Sequence, residues 1–406
     1  MTRAENPGIL DWAIVGGGIH GVHVALRLLD EGRVRPESLT IVDPAERLLA
    51  RWRECTEVTG MAYLRSPSVH HIGPTPTCLL HFAGKRKNRQ LGLFAPPYNR
   101  PLLALFNAHC DHLIDSARLD ERHVRGRVEE CAADRDRVTL QLTDGRELTA
   151  RNVVLALGAS EEPHWPDWAP RDPRLHHVFA PGFNGWPVGE AETVAVIGGG
   201  ISAAQVAVRL AAEAHKVVLI SRHALREHQF DSDPGWLGPK YMARFQRTRD
   251  LSRRRAMIAE ARHRGSLPPD VRRALQHSMD RGRVTRHEAS VERCEPHADG
   301  LRIHLSSDSV VEAQRVLMAT GYTPTRPGGR LVDGLIESAR LPCAPCGFPV
   351  VDSALRWHPR VHVTGPLAEL ELGPSSRTIA GARRAADRIV SAQLEENPNV
   401  PQAFAS

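Results

Sequence analysis

Residues 13–21 are Ala13-Ile14-Val15-Gly16-Gly17-Gly18-Ile19-His20-Gly21, and this stretch decides the fold of the chain. Its apolar start predicts a buried β-strand, and the spacing G-x-G-x-x-G predicts a tight turn into a helix from about Ile19 to Asp30. The three spaced glycines allow the tight turn, the close approach of a pyrophosphate, and the close packing of helix on strand. The backbone amides at the start of the helix would face the phosphate charge.

A second apolar strand follows the helix and ends in an acidic residue. The strand is Leu39-Thr40-Ile41-Val42, and Asp43 comes 22 residues after Gly21. At about this distance an acidic side chain hydrogen-bonds a ribose hydroxyl of a bound dinucleotide. Strand, glycine loop, helix, strand and terminal acid together predict a dinucleotide site. The alternative is an ordinary tight turn between a strand and a helix.

The same plan appears a second time in the chain. The strand Val194-Ala195-Val196-Ile197 leads into the spacing G-x-G-x-x-A, and the next predicted strand, 217–220, is followed by Ser221 and Arg222. Each plan then continues into a β-meander and closes with a strand that ends in glycine, at Gly158 and at Gly321. The repetition predicts two dinucleotides, one that stays bound and one that diffuses.

These two plans predict an α/β fold with two Rossmann-like dinucleotide-binding domains. Residues 1–165 and 323–406 form the first domain in this prediction, and residues 190–322 form the second, which is inserted into the first. Residues 166–189 are rich in Pro, Trp and Gly and are predicted to link the two domains. The tail beyond residue 322 has no glycine loop of its own, so we expect it to complete the first domain.

The composition is that of a soluble globular protein, with 41% hydrophobic and 25% charged residues among 406. The net charge of +6 suits an anionic cofactor at least as well as a nucleic acid. No apolar run approaches the ~20 residues of a membrane span, and residues 1–10 show no signal peptide. Seven scattered cysteines predict no disulfide framework. We therefore expect a cytoplasmic protein without nucleic-acid or membrane partners, and homo-oligomer formation stays open.

With these motifs in view, the chain resembles the two-dinucleotide-binding flavoproteins, most of all class B flavin monooxygenases of the ornithine and lysine N-hydroxylase branch. The resemblance extends over about residues 10–390 and depends on the two glycine loops, Leu157-Gly158, Ala319-Thr320-Gly321-Tyr322, the Trp52 segment and the proline-rich residues 64–82. It implies that FAD binds at Gly16, Gly18, Gly21, Asp43, Trp52, Gly158, Gly365 and Gly373. It implies that NADPH binds at Gly198, Gly200, Ser202, Ala203, Arg222 and Gly321.

The resemblance implies an enzyme that transfers a hydride from NADPH to FAD and then activates molecular oxygen as a C4a-(hydro)peroxyflavin. The substrate would be a small amine or an amino-acid-like molecule, and its nucleophilic nitrogen would be hydroxylated. Because the flavin supplies the reactive chemistry, no catalytic triad is required. Three alternatives stay open: S-oxygenation, NADPH oxidation without oxygen insertion, and a flavin-bound regulatory or binding protein without turnover.

The long irregular stretch from residue 55 to residue 100 contains the substrate-side candidates. Arg65 could bind a substrate carboxylate. His70 or His71 could accept a proton from a substrate ammonium, because the pKa of histidine is near physiological pH. The ordinary alternative is that these side chains pack or cap loops. Arg222 could bind a ribose 2′-phosphate, and its alternative is a solvent-exposed arginine.

Two further motifs are predicted to have no role in the chemistry. Cys343-Ala344-Pro345-Cys346 has the spacing of a redox dithiol but lies outside the positions that related flavin disulfide reductases use. We predict that these cysteines are structural, and we predict no metal site because no second Cys or His pair accompanies them. The basic run Arg253-Arg254-Arg255, with Arg262 and Arg264, predicts a solvated helix face rather than a nucleic-acid surface, because acidic residues are interspersed.

Overall fold

Two β-sheets, each centred on a strand that ends in a glycine loop, organise the computed structural model of the protein. The structure describes residues 8–84, 92–159 and 162–396. In each sheet, buried apolar side chains cover both faces of the parallel strands. In parallel sheets of this kind, nucleotides bind at the edge that the carboxyl ends of the strands form.

Helices and strands alternate around both glycine loops in the described residues. The strands are β1 (Leu10–Val15), β2 (Leu39–Asp43), β3 (Phe94–Ala95), β4 (Arg100–Pro101), β5 (His123–Arg125), β6 (Val128–Ala133), β7 (Val138–Leu142), β8 (Glu147–Leu155), β9 (Leu175–His177), β10 (Thr193–Ile197), β11 (Lys216–Ser221), β12 (Arg226–Glu227), β13 (Ser266–Leu267), β14 (Val284–Glu288), β15 (Val291–His297), β16 (Gly300–Leu305), β17 (Val310–Ala313), β18 (Arg315–Met318), β19 (Arg356–His358) and β20 (Val361–Val363). The helices are α1 (Ile19–Asp30), α2 (Ala50–Thr59), α3 (Cys78–Phe82), α4 (Leu103–Ser116), α5 (Ile201–Ala212), α6 (Pro239–Arg247), α7 (Leu251–Ala261), α8 (Pro269–Asp280), α9 (Gly329–Ala339), α10 (Glu369–Leu372) and α11 (Ile379–Glu396). In the part of the chain that the structure describes, no helix has both the length and the apolar character to span a membrane.

The first sheet has the strand order β19-β20-β8-β1-β2-β5, with β7 beside β8 and β6 beside β7. β1 pairs in parallel with β2 and with β8, so that Val15 lies between Val42 and Leu155. Alternation along β1 sends Trp12 and Ile14 into one face of the sheet and their neighbours into the other. β20 pairs in parallel with β8, so a strand from the C-terminal part of the chain extends this sheet.

The second sheet has the strand order β14-β11-β10-β18-β9, and its neighbouring strands are parallel. β10 therefore occupies the place that β1 has in the first sheet, and the predicted α/β fold with two Rossmann-like units is confirmed. The segment 166–189, predicted as a plain linker, contributes the edge strand β9 to this sheet. A strand of three residues is too short to show a period of two in the sequence.

The chain passes between the two sheets twice, and the two passages lie side by side. Pro163 and Tyr322 form an antiparallel bridge. The amide of His164 donates to the carbonyl of Gly321 (2.9 Å), and the amide of Thr323 donates to the carbonyl of Glu162 (3.0 Å). We call this pair of segments, residues 162–164 and 321–323, the neck.

Arginine side chains connect the parts of the chain around the two sheets. The buried guanidinium of Arg100, the first residue of β4, forms an ion pair with Asp270 at the start of α8 (2.9 Å). In the opposite direction, Arg209 on α5 donates to the backbone carbonyl of Glu57 on α2 (2.8 Å). These contacts join β4 and α2, which lie near the first sheet in the chain, to α8 and α5, which flank strands of the second sheet.

Residues 234–261, called the helical insert below, contain α6 and α7 and follow β12. They pack on residues 365–377, the segment after β20. Trp236, Met242 and Leu370 are buried together in this contact. Because β20 ends at the carboxyl edge of the first sheet, the helical insert covers part of that edge.

Candidate cofactor and substrate sites

The first glycine loop is tightly packed at two of its glycines and leaves space at the middle one. Gly16 has a φ of +114°, and a Cβ there would lie 2.4 Å from the carbonyl oxygen of Ala156. A Cβ at Gly21 would lie 1.8 Å from the carbonyl oxygen of Gly16. Around the Cβ position of Gly18, no described atom lies within 4 Å. Helix α1 begins at the next residue, so its N-terminal amides border this space, and the loop fits a pyrophosphate.

Asp43 holds the first glycine loop from the end of β2. Its Oδ2 accepts a hydrogen bond from the amide of Gly17 (2.7 Å), and its Oδ1 accepts one from the amide of Ala45 (2.9 Å). A carboxylate oxygen has two lone pairs, so each oxygen retains the capacity to accept a ribose hydroxyl. The position of Asp43 therefore fits both the loop and a bound nucleotide.

Trp52 and Gly158 were both expected at FAD, and the structure gives them different surroundings. The indole Nε1 of Trp52 donates to Asn107 Oδ1 (3.0 Å), which holds the ring against α4. Gly158 follows β8 with a φ of +71°, and no described atom lies within 4 Å of its Cβ position. The contact with α4 gives Trp52 a packing role, whereas Gly158 borders open space at the carboxyl edge.

Gly365 and Gly373 lie in the segment after β20 but face different neighbours. The Cβ position of Gly365 is 3.7 Å from Nδ1 of His20, a residue of the first glycine loop. A Cβ at Gly373 would lie 3.0 Å from Met242 Sδ. Gly365 therefore lies beside the glycine loop, while Gly373 allows the helical insert to approach.

No role was predicted for His20, although it stands between Gly18 and Gly21. Its Nδ1 is 2.8 Å from Thr364 Oγ1, and its Nε2 is buried without a hydrogen-bond partner among the described residues. Burial lowers the pKa of His20 to about 4, so the ring is neutral at physiological pH. A buried ring nitrogen without a partner, beside Gly365, fits a polar atom of a bound flavin.

The second glycine loop repeats the geometry of the first. Gly198 has a φ of +152°, and a Cβ there would lie 2.6 Å from the carbonyl oxygen of Ala319. Its amide donates to the carbonyl of Ile220 (2.9 Å). Ala203 is buried at the third position, and Ser202 stands in the first turn of α5. The loop therefore fits a second dinucleotide.

Two further glycines expected at the second nucleotide are Gly200 and Gly321. The Cβ position of Gly200 is 3.4 Å from the Cα of Gly265, so the segment 262–265 lies against the second glycine loop. Gly321 follows β18 with a φ of +81°, and no described atom lies within 4 Å of its Cβ position. Gly321 thus corresponds in its surroundings to Gly158 of the first sheet.

Arg222 follows β11 at the carboxyl edge of the second sheet, where it is exposed. A second arginine, Arg286 on β14, reaches the same place. Its Nε donates to Ser221 Oγ (3.2 Å), its Nη2 donates to the carbonyl of His223 (3.2 Å), and it pairs with Glu288 (2.7 Å). Arg286 was not predicted; the available signal was that β14 is a further strand of the same plan, whose carboxyl end lies beside that of β11.

Arg65 joins the irregular stretch to the surroundings of the second sheet. Its Nε donates to the carbonyl of Gln229 (2.8 Å), and its Nη2 donates to the carbonyl of His228 (2.7 Å) and to Ser266 Oγ (2.9 Å). Its Nη1 lies 3.8 Å from Asp231. These protein partners favour a bridging role over the binding of a substrate carboxylate.

His71 is fully buried and closes a loop. Its Nδ1 accepts from the amide of Gly73 (3.0 Å), and its Nε2 donates to the carbonyl of Pro76 (3.2 Å). Burial lowers its pKa to about 4. Burial and the nearby Arg383 also lower the pKa of the half-buried His70. The contacts of His71 favour the loop-capping alternative, and His70 stays a candidate in its neutral form.

The prediction of a solvated face for the basic run is wrong for most of its arginines. Arg253 is half exposed and pairs with Glu260 (3.2 Å) on the outside of α7. Arg264 is also exposed. The other three face inward because acidic partners far away in the sequence lie against them, which no local pattern reveals. The inward ion pairs are Arg254 with Glu371, Arg255 with Glu369, and Arg262 with Asp231.

Cys343 and Cys346 lie in an exposed turn after α9 and are free thiols. The amide of Ala344 donates to the carbonyl of Phe348 (2.9 Å), which closes the turn. Burial raises the pKa of Cys343, which does not favour a reactive thiolate. A structural role for the pair stays a prediction. Among the described residues, no group of three or more His, Cys, Asp or Glu side chains could hold a metal ion.

Comparisons with known proteins connect this geometry to a family. The model of the pyridine nucleotide-disulphide oxidoreductase family matches residues 10–387. A search of curated proteins finds no match.

Three solved structures of other enzymes resemble the chain over most of its length. An ornithine N-hydroxylase of Kutzneria sp. 744, solved with reduced FAD, NADP+ and L-ornithine, is 18% identical with a TM-score of 0.77, over 96% of this chain and 99% of the other. An L-lysine 6-monooxygenase from Pseudomonas syringae is 19% identical with a TM-score of 0.73, over 96% and 100%. A bacillithiol disulfide reductase from Bacillus cereus is 16% identical with a TM-score of 0.63, over 96% and 99%.

The structural likenesses concern the fold, because the identities are low. The family match is broader evidence, since it spans both glycine loops and the return of the chain to the first sheet. The predicted resemblance to two-dinucleotide flavoproteins is thereby confirmed. The chain therefore belongs to the pyridine nucleotide-disulphide oxidoreductase family and is a flavin-dependent oxidoreductase that uses FAD and a pyridine nucleotide.

Proposed function

We propose that the protein is an NADPH-dependent flavin monooxygenase that hydroxylates the nitrogen of a small amine or amino-acid-like substrate. One observation carries the proposal: the helical insert covers residues 365–377 at the carboxyl edge of the first sheet. A covered edge excludes water from the place where the flavin would react, which oxygen chemistry requires more than simple electron transfer does. The fold shared with an ornithine hydroxylase and a lysine monooxygenase supports the same choice.

The residues assigned to FAD are those of the first glycine loop and of the edge beside it. In this assignment residues 1–165 and 323–406 bind FAD, with the pyrophosphate at Gly18 and a ribose hydroxyl on Asp43. FAD, when bound, supplies electron transfer and oxygen activation. The neutral ring of His20 orients a polar atom of the flavin, and the apolar side chains of the helical insert exclude water.

The residues assigned to NADPH are those of the second glycine loop, within residues 190–322. The amides after Gly200, with Ser202, hold its pyrophosphate at the start of α5. Arg222 and Arg286 bind the ribose 2′-phosphate from two neighbouring strands, because guanidinium groups form charge-assisted hydrogen bonds with phosphate. This charge selects NADPH over NADH.

The experiment that tests the function follows NADPH consumption and product together. The purified FAD-loaded protein is supplied with NADPH and oxygen, with and without L-ornithine or L-lysine. We expect one of the amines to accelerate NADPH oxidation and to be converted into a hydroxylamine. A thioether that is oxidised in place of both amines would point to S-oxygenation. NADPH oxidation in air that no amine or thioether accelerates and that yields only hydrogen peroxide, with no oxygenated product, would contradict the proposal.

A reductase without oxygen insertion is the second candidate function. The exposed Cys343 and Cys346 favour it, as does the fold shared with a disulfide reductase. Neither glycine loop nor the helix after it contains a cysteine, which speaks against a dithiol at those positions. NADPH oxidation under anaerobic conditions with a low-molecular-weight disulfide as acceptor tests this candidate, and a Cys343→Ser, Cys346→Ser double variant serves as its control.

A further inference from the structure

Four arginines gather between the helical insert and the segment 365–377. We call Arg255, Arg262, Arg264 and Arg377 the arginine cluster. Burial is the main reason that the pKa values of Arg255, Arg262 and Arg377 are lowered, and repulsion by the neighbouring arginines lowers those of Arg255 and Arg262 further. Three of the side chains are less than a quarter exposed, and Arg264 is exposed.

Two carboxylates are shared among the arginines of this region. Glu369 is only 1% exposed and pairs with both Arg255 and Arg377. Asp231 pairs with Arg262 (3.0 Å) and lies 3.8 Å from Arg65. Each carboxylate thus serves two guanidinium groups, and Arg264 has no ion pair with a described residue. The region has a surplus of positive charge, and buried charge without a counter-charge is costly.

Some hydrogen-bond donors of the arginine cluster have no acceptor among the described residues. Arg377 donates through its Nε to Glu369 (2.8 Å), and its two Nη groups have no hydrogen-bond partner among the described residues. The Nε of Arg262 is buried without a partner in the same part of the chain. A planar carboxylate or a phosphate is the kind of group that such donors bind.

The arginine cluster lies between the two predicted nucleotide sites. At one side, Gly265 touches the second glycine loop through Gly200. At the other side, Glu369 and Arg377 follow Gly365, which lies beside the first glycine loop. A substrate that meets the flavin next to the nicotinamide would enter this gap.

We propose that the arginine cluster binds an anionic group, a carboxylate or a phosphate, of the substrate. The proposal rests on the proposed function, because it takes the gap between the two sites as the place of the reaction. In the proposed function the pyrophosphate of the pyridine nucleotide lies at the second glycine loop, beside Arg264, and its 2′-phosphate lies at Arg222 and Arg286. Its nicotinamide and the adjacent ribose carry no negative charge, so they do not balance Arg255, Arg262 and Arg377. The substrate therefore supplies the missing charge.

The test measures the binding of anions rather than turnover. Inorganic phosphate and glutarate are titrated by calorimetry into the FAD-loaded protein at constant ionic strength, with and without saturating NADP+. We expect at least one probe to bind in the presence of NADP+. Arg377→Gln should weaken that binding by about tenfold to a hundredfold, since a charge-assisted contact is lost. Arg253→Gln, on the outside of the same helix as Arg255, should leave it unchanged.

Two further variants separate charge from folding. Arg377→Lys retains the ion pair with Glu369 but not the planar fork, so we expect a smaller loss than in Arg377→Gln. Arg255→Gln should weaken binding as Arg377→Gln does, and the FAD content of each variant reports its folding.

Three results would overturn the proposal. These are no binding of either probe to the wild type, binding that NADP+ abolishes, and binding that both glutamine variants leave intact. Abolition by NADP+ would show that the probes occupy the phosphate site of the nucleotide. Because the titration needs no turnover, its outcome is independent of whether the enzyme hydroxylates nitrogen.

Discussion

At the scale of single residues, Gly18 is the position where space for a ligand is most directly visible. Its backbone is extended, with a φ of −80°, and no described atom lies within 4 Å of its Cβ position. We therefore expect Gly18→Val to fold normally but to lose FAD, because the valine would occupy the place where the pyrophosphate approaches. The flavin absorbance of the purified variant, relative to its protein concentration, measures this.

The matched control for Gly18 is Gly238→Val. Gly238 also has an extended backbone and an open Cβ position, but it precedes α6, outside both glycine loops. We expect this variant to retain its FAD. A folded Gly18→Val protein with the FAD content of the wild type would exclude the assignment.

Arg222 and Arg286 are expected to decide the choice of the electron donor. A charge-assisted contact with a 2′-phosphate is worth roughly 1.5–3 kcal/mol, or about tenfold to a hundredfold in affinity. Arg222→Ala and Arg286→Ala should each weaken the binding of NADPH by up to this amount. The binding of NADH should be nearly unchanged, because NADH has no such phosphate. Stopped-flow flavin reduction with both donors measures the effect.

Arg281→Ala is the control for this pair, because Arg281 precedes β14 at the opposite edge of the sheet. Arg281→Ala should change the binding of neither NADPH nor NADH, as measured by the same flavin reduction. A wild-type preference for NADH would rule out the phosphate-binding role, as would equal losses of both donors in the two arginine variants.

The residues of both glycine loops could be predicted because their spacing itself encodes the turn. Gly16 and Gly198 have the positive φ that the spacing requires, and each would clash with a strand-end carbonyl if it carried a Cβ. His20 and Arg286 could not be predicted in this way. Their roles depend on Thr364 and on Ser221, which only the folded chain brings near.

At the scale of elements, α7 anchors the helical insert through one face. Arg254 donates to the carbonyl of Leu370 (2.9 Å) and pairs with Glu371 (3.3 Å), whereas Arg253 faces outward. We expect Arg254→Ala to reduce the free energy of unfolding by about 1–3 kcal/mol, because a partly buried charged contact is lost. Arg253→Ala should change it by less than about 0.5 kcal/mol. Urea unfolding measures both.

Limited proteolysis tests the same prediction locally, because it measures how often the helical insert opens. Cleavage within the helical insert should accelerate in Arg254→Ala and not in Arg253→Ala, because the anchor to residues 369–371 is lost. Equal stability losses in the two variants, with no change in cleavage, would contradict the anchoring role.

The elements with strong local patterns were predicted well. The helix expected from about Ile19 to Asp30 is α1, and the β-meander predicted before Gly158 is present as β6, β7 and β8. The inward face of α7 was missed because its partner Glu371 lies 117 residues after Arg254. Periodicity shows which side of a helix is charged, but not whether distant acids will cover it.

At the scale of the whole molecule, buried histidines should make stability strongly dependent on pH. Burial lowers six pKa values to between about 3 and about 4, from the ordinary 6.5; the residues are His20, His23, His71, His109, His177 and His362. Between pH 6.5 and 4 the unfolded chain therefore binds more protons than the folded one. Stability is lost as the pH falls through this range, by about 1.4 kcal/mol per pH unit for each group.

Urea unfolding at a series of pH values between neutrality and pH 5 checks this slope. His362 offers a matched variant, since it is 4% exposed and its ring lies 5.2 Å from that of Trp12. His362→Phe retains an aromatic ring and removes one proton site. The dependence of the free energy of unfolding on pH should therefore decrease by the contribution of one histidine. A stability that is flat from pH 7 to 5 would contradict the prediction.

The neck bears on whether the part of the chain between its two segments, which contains the second sheet, can be inserted or replaced as a unit. Because its two segments are hydrogen-bonded side by side, the inserted part starts and ends at nearly one point. Such a part can be exchanged as a module without stretching the host sheet, so a chimaera that is joined at the neck should close without added linkers. A donor module would still have to match the host at Asp270 and Arg209, where the two parts interlock. Compatibility between modules is thus set by a few side chains rather than by the length of the joint.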